Sequence, residues 1–387
     1  MKNIIIHYSE IALKGKNRPI FETCLVDNIK KLLPAEHISD IKRLSGRILL
    51  KLKDGFLEKE LNKTIGLLSN IFGISHYSPA VEVNSDIKEI EKAGVEVMGG
   101  IKSGTFKVET KRAYKQFSFN SLEISSMVGS AIFKKTKIKV DVKNPDITVF
   151  VEVLKNQTYI YSKKIKGLGG LPVGVSGKSL VLISGGIDSP VASYLMMKRG
   201  CELEFIHFHS YPYTNKASIE KVTDLLKVLQ KYQKKFKLYL VPIIEFQKEV
   251  VKEVEDKYRI ILYRRLMYKV AEQIAKNNNI KALVSGDNLG QVASQTIENM
   301  GVIGNGLELP ILRPLLTYDK SEIIELAEKI GTMELSTEPH DDCCSIFLPK
   351  NPITKSRIGN ILTQEEMVQM KKWVDKIMKN YEIKDII

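Results

Sequence analysis

Cysteine and tryptophan are scarce in this sequence, with four cysteines and one tryptophan in 387 residues. Four cysteines are too few for a disulfide framework in so long a chain, and the lack of C-x-x-C pairs argues against zinc or an iron–sulfur cluster. The sequence also lacks a run of about 18 apolar residues and an N-terminal signal pattern. These absences predict a cytoplasmic protein with no membrane partner, in which any thiol that matters acts chemically.

Acidic residues are in the minority, and the formal net charge is +14. Residues 99–170 carry much of this surplus, with fourteen Lys or Arg against five Asp or Glu. Five lysines there alternate with apolar residues, which predicts a sheet with one basic face and favours a nucleic acid over a merely solvated surface. They are Lys134, Lys135, Lys137, Lys139 and Lys143. Near the N-terminus, a polar loop with Lys14, Lys16 and Arg18 fits a phosphate-gripping loop and a simple lysine-rich loop equally well.

The order of apolar and polar segments predicts four regions. Residues 1–55 are typical of a small α+β unit, and residues 56–165 continue with strands and helices, including two strands near 138–142 and 148–153 that we expect to pair. Residues 166–177 are rich in glycine and predict a linker or an active-site flap. Residues 178–387 alternate short apolar strands with helices, which predicts a doubly wound parallel sheet with ligands at the carboxyl ends of its strands.

The segment L-V-L-I-S-G-G-I-D-S-P at residues 180–190 is an apolar strand, a glycine turn and a helix start. Such a turn predicts a phosphate site, because glycines allow close approach and free helix N–H groups point at the anion. It has no lysine, so it is not a Walker A loop. Its S-G-G-x-D-S pattern resembles the PP-loop ATP pyrophosphatases, which cleave ATP to AMP and pyrophosphate and activate an oxygen as its adenylate. The alternative is a strand-to-helix turn that contains two glycines by chance.

Three further positions suggest chemistry. Asp188 lies in the glycine turn, where a carboxylate suits Mg²⁺ binding, catalysis or helix capping. Lys320 begins a predicted helix, where a cation opposes the helix dipole, and this misplaced charge indicates function. Cys343 and Cys344 are adjacent in a polar loop, where one thiol could carry a persulfide. Cys201 and Cys24 are expected to pack in cores.

Longer motifs resemble one family along the whole chain. The strand ending in Lys111-Arg112, the helix after it and D-V-K-N-P-D at residues 141–146 resemble the THUMP domain, an RNA-binding module of tRNA-modifying enzymes. Together with E-I-A-L-K-G-K-N-R-P, S-G-G-I-D-S-P-V-A, G-D-N-L-G-Q-V-A-S-Q-T, R-P-L-L-T-Y-D-K and H-D-D-C-C-S-I-F, they resemble the blocks of the tRNA 4-thiouridine synthetases, or tRNA sulfurtransferases. The resemblance implies a ferredoxin-like domain at 1–55, a THUMP domain at 56–165 and a PP-loop domain at 178–387.

The resemblance also implies a reaction. MgATP would adenylate O4 of uridine 8 in tRNA, and a persulfide sulfur on Cys344 would then replace AMP at C4. Asp188 and Lys320 would be needed for adenylation. A cysteine desulfurase would supply the sulfur, and the protein would form a homodimer. The ATP-binding set comprises Leu182, Ile183, Ser184, Gly185, Gly186, Ser189, His207, Phe208, Arg264, Gly286 and Gln295. The RNA-binding set comprises Lys14, Lys16, Arg18, Lys111, Arg112, Lys134, Lys135 and Lys137.

One feature departs from the family. Many members carry a C-terminal rhodanese domain with a second catalytic cysteine, whereas this sequence ends at Ile387. Cys343, Cys201 or an external reductant is then expected to resolve the Cys344 persulfide, and a role in making the thiazole of thiamine is doubtful. Two other functions remain open: a PP-loop pyrophosphatase that acts on a small molecule, and an RNA-binding protein whose nucleotide site is regulatory.

Overall fold

The computed structural model describes residues 2–101, 103–213, 216–339, 347 and 349–387. The chain divides into two compact units, Met1–Leu171 and Pro172–Ile387. The division falls inside the glycine-rich segment 166–177, and both ends of that segment are hydrogen-bonded. The N–H of Gly167 donates to the carbonyl of Ser75, and the N–H groups of Gly174 and Ser176 donate to the carbonyl of Gly200. The segment is therefore tied to each unit by backbone bonds.

The first unit contains a nine-stranded sheet and four α-helices in its described residues. The strands are β1 (Asn3–His7), β2 (Ile38–Leu44), β3 (Arg47–Leu52), β4 (His76–Asn84), β5 (Thr105–Arg112), β6 (Lys139–Val140), β7 (Ile147–Val153), β8 (Gln157–Tyr161) and β9 (Ile165–Lys166). The helices are α1 (Arg18–Leu32), α2 (Glu58–Leu67), α3 (Ile87–Val97) and α4 (Ser121–Thr136). The strand order is β2-β3-β1-β4-β8-β7-β5-β6, and β9 also pairs with β4. Strand β4 joins the two parts of this sheet, because its first residues pair with β1 and its last residues pair with β8.

Three apolar cores lie in the described residues of this unit, and the smallest contains Ile5, Leu49, Ala80, Tyr159 and Tyr161. The first contains residues of β1, β3 and α1, and it also includes Ile65, Leu68, Ile71 and Tyr77. The second packs α3 and α4 against β5, β7 and β8, with Val128 of α4 among its buried residues. Residues 56–77 thus contribute to the same core as β1, β3 and α1, and this core extends beyond the boundary predicted at residue 55.

Two predictions for residues 134–153 are wrong. Strands β6 and β7 do not pair with each other, since both are parallel to β5. Lys134 and Lys135 lie on the last turn of α4, and Lys137 is the left-handed residue that ends it, with φ 61°. They therefore form no basic face of a sheet. The apolar spacing of the buried residues of α4 carries the helix through Thr136, and cations near a helix C-terminus are favourable.

The second unit has the predicted parallel sheet with helices. Its strands are β10 (Lys178–Leu182), β11 (Glu202–His209), β12 (Phe236–Pro242), β13 (Ala282–Val284), β14 (Ile311–Leu312) and β15 (Glu382–Ile386). Its helices are α5 (Asp188–Lys198), α6 (Ala217–Leu229), α7 (Ile244–Glu253), α8 (Arg259–Asn277), α9 (Ile297–Gly304), α10 (Lys320–Ile330), α11 (Met333–Thr337), α12 (Ile358–Met367) and α13 (Met370–Ile377). The order is β14-β13-β10-β11-β12-β15, in which β15 alone is antiparallel to its neighbour. Because β11 and β13 flank β10 on opposite sides, the carboxyl end of β10 is the switch point where ligands bind.

Helix α8 is the central element of the main apolar core of the second unit. Arg265 is buried in it, and its Nε donates to Glu365 Oε1 of α12 at 2.7 Å. The same guanidinium donates to the carbonyls of Val302 and Asn305. Arg265 therefore ties three elements together. None of the helices in the described ranges is long and apolar enough to cross a membrane.

Candidate functional site

A cavity of about 530 Å³ lies at the carboxyl ends of β10, β11 and β13. Parallel strands bring their ends to one edge of the sheet, which is why segments far apart in sequence meet here. Of the predicted ATP-binding set, nine residues line the cavity: Leu182, Ile183, Ser184, Ser189, His207, Phe208, Arg264, Gly286 and Gln295. Asp188 lines it as well. Gly185 and Gly186 lie in the same loop but do not line the cavity.

Two serines order the glycine turn after β10. The N–H of Ser184 donates to Ser189 Oγ at 2.9 Å, and Ser189 Oγ lies 3.2 Å from the carbonyl oxygen of Ser184. Ser189 is buried. Its hydroxyl therefore closes the turn from inside.

Gly286 is required by the close approach of two loops. A Cβ atom at this position would lie 2.9 Å from the backbone nitrogen of Ser189 and 3.0 Å from the carbonyl carbon of Asp188. Any larger residue would push the second loop away from the start of α5. Gly286 thus allows the two loops of the cavity to pack directly against each other.

Asp188 and Lys320 meet at the edge of the cavity. The Nζ atom of Lys320 lies 2.6 Å from Asp188 Oδ1, although the residues are 132 positions apart. Gln291 donates from Nε2 to Asp188 Oδ2 at 3.3 Å, a contact that the sequence did not predict. Asp319 caps α10 and bonds to the N–H of Glu322, which fixes the helix start that carries Lys320. The cation that opposes its own helix dipole is therefore balanced by the carboxylate of Asp188.

Asp287, which the sequence places with Gly286 at the end of a strand, lines the cavity, and its partners were not predicted. Its buried carboxylate accepts hydrogen bonds from Ser285 Oγ at 2.8 Å and Tyr268 OH at 3.1 Å. Arg264 donates to Oδ1, and Arg313 Nε lies 3.4 Å from Oδ2. Burial alone raises the pKa of Asp287, but the Arg264 guanidinium and these hydrogen bonds outweigh it and lower the pKa to about 2. The carboxylate is ionised at neutral pH and holds two arginines.

Arg264, which was predicted to contact ATP, is already bonded to other groups of the protein. Its Nη1 donates to Ser294 Oγ at 3.2 Å, and its Nη2 donates to Asp287. Much of its charge is thereby neutralised by protein, and it joins α8 to the loops at 285–287 and 293–295. Gln295, beside it, has a buried Oε1 with no hydrogen-bond partner among the residues the structure describes. That atom is an unused acceptor that suits a donor group of a bound ligand.

His207 and Phe208 are buried at the end of β11. His207 Nδ1 lies 3.0 Å from the carbonyl oxygen of Ile183, and this oxygen accepts a hydrogen bond from it. Phe208 belongs to the main apolar core of the unit. Both residues therefore support the cavity wall in addition to lining it.

Two of the four cysteines, Cys24 and Cys201, lie within the described residues. Cys343 and Cys344 lie outside the described residues. Cys201 is buried, and burial raises the pKa of its thiol. Cys201 is thus a core residue, as expected from the sequence, and its burial makes it a poor choice for resolving a persulfide. Cys24 is half-buried on α1.

The predicted RNA-binding residues differ in exposure. Lys16, Lys111, Lys134, Lys135 and Lys137 are exposed. Lys111 lies 3.8 Å from Glu109. The other three are partly buried and also have local partners: Lys14 lies 3.8 Å from Glu10, Arg18 donates to the carbonyl of Ala12 at 2.9 Å, and Arg112 donates to that of Phe119 at 2.8 Å. Arg112 therefore orders the loop after β5.

Acidic and metal-binding side chains are not clustered in the described part of the chain. Within it, no group of three or more His, Cys, Asp or Glu side chains is arranged to hold a metal ion. Of the two carboxylates that line the cavity among the described residues, Asp287 is buried and Asp188 is about a quarter exposed. Any divalent cation here would need ligands from a bound molecule as well.

Three family models match successive parts of the chain. The ThiI ferredoxin-like domain matches residues 3–78, the THUMP domain matches residues 84–163, and the family described as Thiamine biosynthesis protein (ThiI) matches residues 174–370. The first match ends next to Tyr77, the last residue of the first core.

Similar proteins cover the chain almost completely. The probable tRNA sulfurtransferase of Thermoanaerobacter pseudethanolicus is 45% identical over 373 residues, 96% of this chain and 97% of that one. That of Caldanaerobacter subterraneus is 45% identical over 377 residues, 97% and 98% of the two chains. The crystal structure of a 4-thiouridine synthetase–RNA complex with bound ATP matches with a TM-score of 0.89 at 38% identity, over 100% of both chains. A Pyrococcus horikoshii protein matches at 26% identity with a TM-score of 0.65, over 86% of this chain and 100% of that one. The resemblance seen in the motifs is confirmed, and the chain belongs to the tRNA sulfurtransferase (ThiI) family.

Proposed function

We propose that this protein is an ATP-dependent tRNA uracil 4-sulfurtransferase, which converts uridine 8 of tRNA to 4-thiouridine and releases AMP and pyrophosphate. The observation that carries the proposal is the Asp188–Lys320 pair at a cavity at the sheet's switch point. The full-length match to a 4-thiouridine synthetase with RNA and ATP supports it.

ATP fits the cavity by the chemistry of its walls. The glycine turn and the N-terminus of α5 offer N–H donors to phosphates. Gln295 Oε1 offers an unused acceptor for a group such as the adenine amino group. We propose that the ATP-binding set named above contacts ATP, with Gly185 and Gly186 acting through their backbone.

Asp188 and Lys320 would act in adenylation. Uridine O4 attacks the α-phosphorus of ATP, and the bond from that phosphorus to the bridging oxygen breaks to release pyrophosphate. Lys320 provides positive charge where the leaving group develops negative charge. Asp188 keeps the Nζ atom of Lys320 in place before ATP binds. Mg²⁺ would be held by the ATP phosphates and Asp188, and it supplies further neutralisation of the phosphate charge.

Sulfur would then reach C4 from a persulfide on Cys344. The terminal sulfur of the persulfide attacks C4 and AMP leaves, so that C4 is bonded to the enzyme through a disulfide. A second thiol cleaves the S–S bond, leaving sulfur on C4 and a new disulfide that a reducing thiol must open. We propose Cys343 or an external dithiol for this step, and a cysteine desulfurase as the sulfur donor.

RNA binding would use the exposed lysines of the first unit. Lys134, Lys135 and Lys137 stand together at the C-terminal end of α4. Contacts of this kind bind the phosphate backbone and position RNA without reading its sequence. We further propose that the protein is cytoplasmic and forms a homodimer. Light scattering of the purified protein tests the oligomeric state directly.

One assay tests the reaction. Unmodified tRNA transcript is incubated with MgATP, a cysteine desulfurase and cysteine, and both AMP and 4-thiouridine are measured by chromatography. The wild type should form both products, Lys320→Met neither, and Cys344→Ser AMP alone. Cys201→Ser is the matched control, and it should form both.

The controls separate the other functions. AMP release that does not need tRNA would favour the small-molecule pyrophosphatase. tRNA binding without AMP release would favour the regulated RNA-binding protein. Thiolation by Cys344→Ser would contradict the persulfide role of that residue.

A further inference from the structure

The Asp188–Lys320 pair has little geometry of its own. The two side chains are 23% and 46% exposed, and they meet at one oxygen, since the Nζ atom of Lys320 lies 2.6 Å from Asp188 Oδ1. An ammonium group is a compact point charge that attracts a carboxylate from many directions. Exposed ion pairs are also held weakly, because ordering two side chains opposes the attraction and water screens it. A third contact is therefore needed to fix how the Asp188 carboxylate is turned.

Gln291 supplies a third contact. Its Nε2 donates to Asp188 Oδ2 at 3.3 Å, whereas Lys320 lies against Oδ1. The two donors lie on different oxygens of one carboxylate, so the carboxylate cannot turn without losing one of them. The amide of Gln291 is neutral, and it orients Asp188 without cancelling the negative charge that attracts Lys320. A second cation at this place would compete with Lys320 instead.

The backbone that carries Gln291 is tied to the segment that carries Lys320. The N–H of Leu289 donates to the carbonyl of Leu316 at 3.2 Å, four residues before Lys320. Gly290 has φ 77°, a left-handed conformation that turns the chain directly before Gln291. One loop thus contacts Asp188 through a side chain and the approach to Lys320 through its backbone.

The side chain of Gln291 does not line the nucleotide cavity, although the residues from Val292 to Gln295 do. Their loop is closed by its own backbone. The N–H of Gly290 donates to the carbonyl of Gln295 at 2.9 Å, and the N–H of Gln295 donates to that of Val292 at 2.8 Å. A change confined to the Gln291 side chain leaves these bonds in place. Nucleotide binding and the orientation of the carboxylate can therefore be separated by substitution.

We propose that Gln291 is a positioning residue for adenylation, in that its amide turns the Asp188 carboxylate so that one oxygen holds Lys320. This inference rests on the proposed function, in which Lys320 neutralises charge on the departing pyrophosphate. Misplacing a reacting group by about 1 Å can cost about a hundredfold in rate. Loss of the amide should therefore slow adenylation more than it weakens the binding of ATP.

Substitutions of similar size at Gln291 test the proposal. AMP formation by the full-length protein is measured at varied ATP with tRNA transcript and Mg²⁺. Gln291→Met keeps the length of the side chain and removes the donor, so we expect kcat to fall about tenfold while the KM for ATP stays within about twofold of wild type. Gln291→Glu places a second carboxylate beside that of Asp188, and the two like charges repel, so its kcat should be lower still.

Gln273 is the matched control. Its Nε2 also donates to a side-chain oxygen at 3.3 Å, that of Asn277 on an exposed part of α8. Gln273→Met and Gln273→Glu should therefore keep the wild-type kcat. With a desulfurase and cysteine added, the amount of 4-thiouridine per AMP in Gln291→Met should equal that of wild type, because only adenylation is slowed.

Four results would overturn the proposal. They are a wild-type kcat in Gln291→Met, a rise in its KM for ATP as large as its fall in kcat, a kcat of Gln291→Glu at or above that of Gln291→Met, and an equal loss in Gln273→Met. If Gln291→Met does not fold, a wild-type kcat in Gln291→Glu would overturn it. A wild-type protein that forms no AMP with tRNA would instead refute the proposed function, which keeps the two failures distinct.

Discussion

Replacing Asp287 with asparagine tests whether this carboxylate is the counter-ion that organises the cavity. The substitution preserves the size of the side chain and removes its charge. Arg264 and Arg313 then lose their shared partner, while the hydroxyls of Ser285 and Tyr268 keep an acceptor of similar position. The second unit should be less stable, and the KM for ATP should rise because Arg264 is no longer held.

The structure sets the size of the effect. The pKa of Asp287 falls from an ordinary 3.8 to about 2, which corresponds to about 2 kcal/mol in favour of the ionised form. Leaving a buried guanidinium without its carboxylate typically costs about 3 to 5 kcal/mol. Because asparagine keeps some hydrogen bonds, we expect a loss of about 3 kcal/mol in the free energy of unfolding.

Urea unfolding followed by tryptophan fluorescence measures this loss. Trp373 is the one tryptophan of the sequence, and its ring lies 5.9 Å from that of Phe246 against the core of the second unit. Asp224→Asn is the matched control, since its carboxylate forms an exposed pair with Lys227 and its loss should leave the midpoint unchanged. An Asp287→Asn midpoint equal to that of wild type would refute the counter-ion role.

Three other expectations follow from particular contacts. Gly286→Ala should destabilise the second unit by about 1 to 3 kcal/mol in the same urea experiment and raise the KM for ATP, because the new Cβ collides with the start of α5. Gly301→Ala has open space and should cost nothing, and equal effects of the two would contradict the steric argument. Burial and His207 lower the pKa of His209 to about 4, whereas an unfolded histidine binds its proton near 6.5, so stability falls as pH drops from about 6.5 towards 4. Replacing His209 with Asn should reduce the loss of unfolding free energy between pH 7 and pH 5 by up to about 2 kcal/mol, and an unaltered pH dependence would contradict it. The double variant Lys134→Gln/Lys135→Gln should weaken tRNA binding and lower its salt slope by about two ions in filter-binding titrations, and an unchanged slope would exclude these lysines from the RNA contact.

The parallel sheet was predictable because its strands are buried on both faces. Such strands appear in sequence as short continuous apolar runs, and β10 to β13 were found from those runs. Their common direction then placed the glycine turn, the end of β11 and Gly286 at one edge. Lys320 was singled out by its conflict with the helix dipole, and the structure supplies the carboxylate that resolves that conflict.

The remaining features depend on long-range pairing. Tyr268 and Arg313 lie 19 and 26 positions from Asp287, and no local pattern indicates that they share a carboxylate. The lysine-rich stretch after Ile132 fits a helical repeat and a strand repeat alike, so only packing against the second core shows that the helix continues. Strand partners such as those of β6 and β7 are set by the connection between strands, which hydrophobic alternation does not encode.

Strand β4 has a practical consequence for dissecting the protein. Its residues from His76 to Ala80 complete the sheet beside β1, and Val81 to Asn84 complete it beside β8. A cut on either side of β4 would leave one module with an open edge that invites aggregation. Exchanges between relatives should therefore transfer residues 1–171 as one block, which we expect to melt in a single transition.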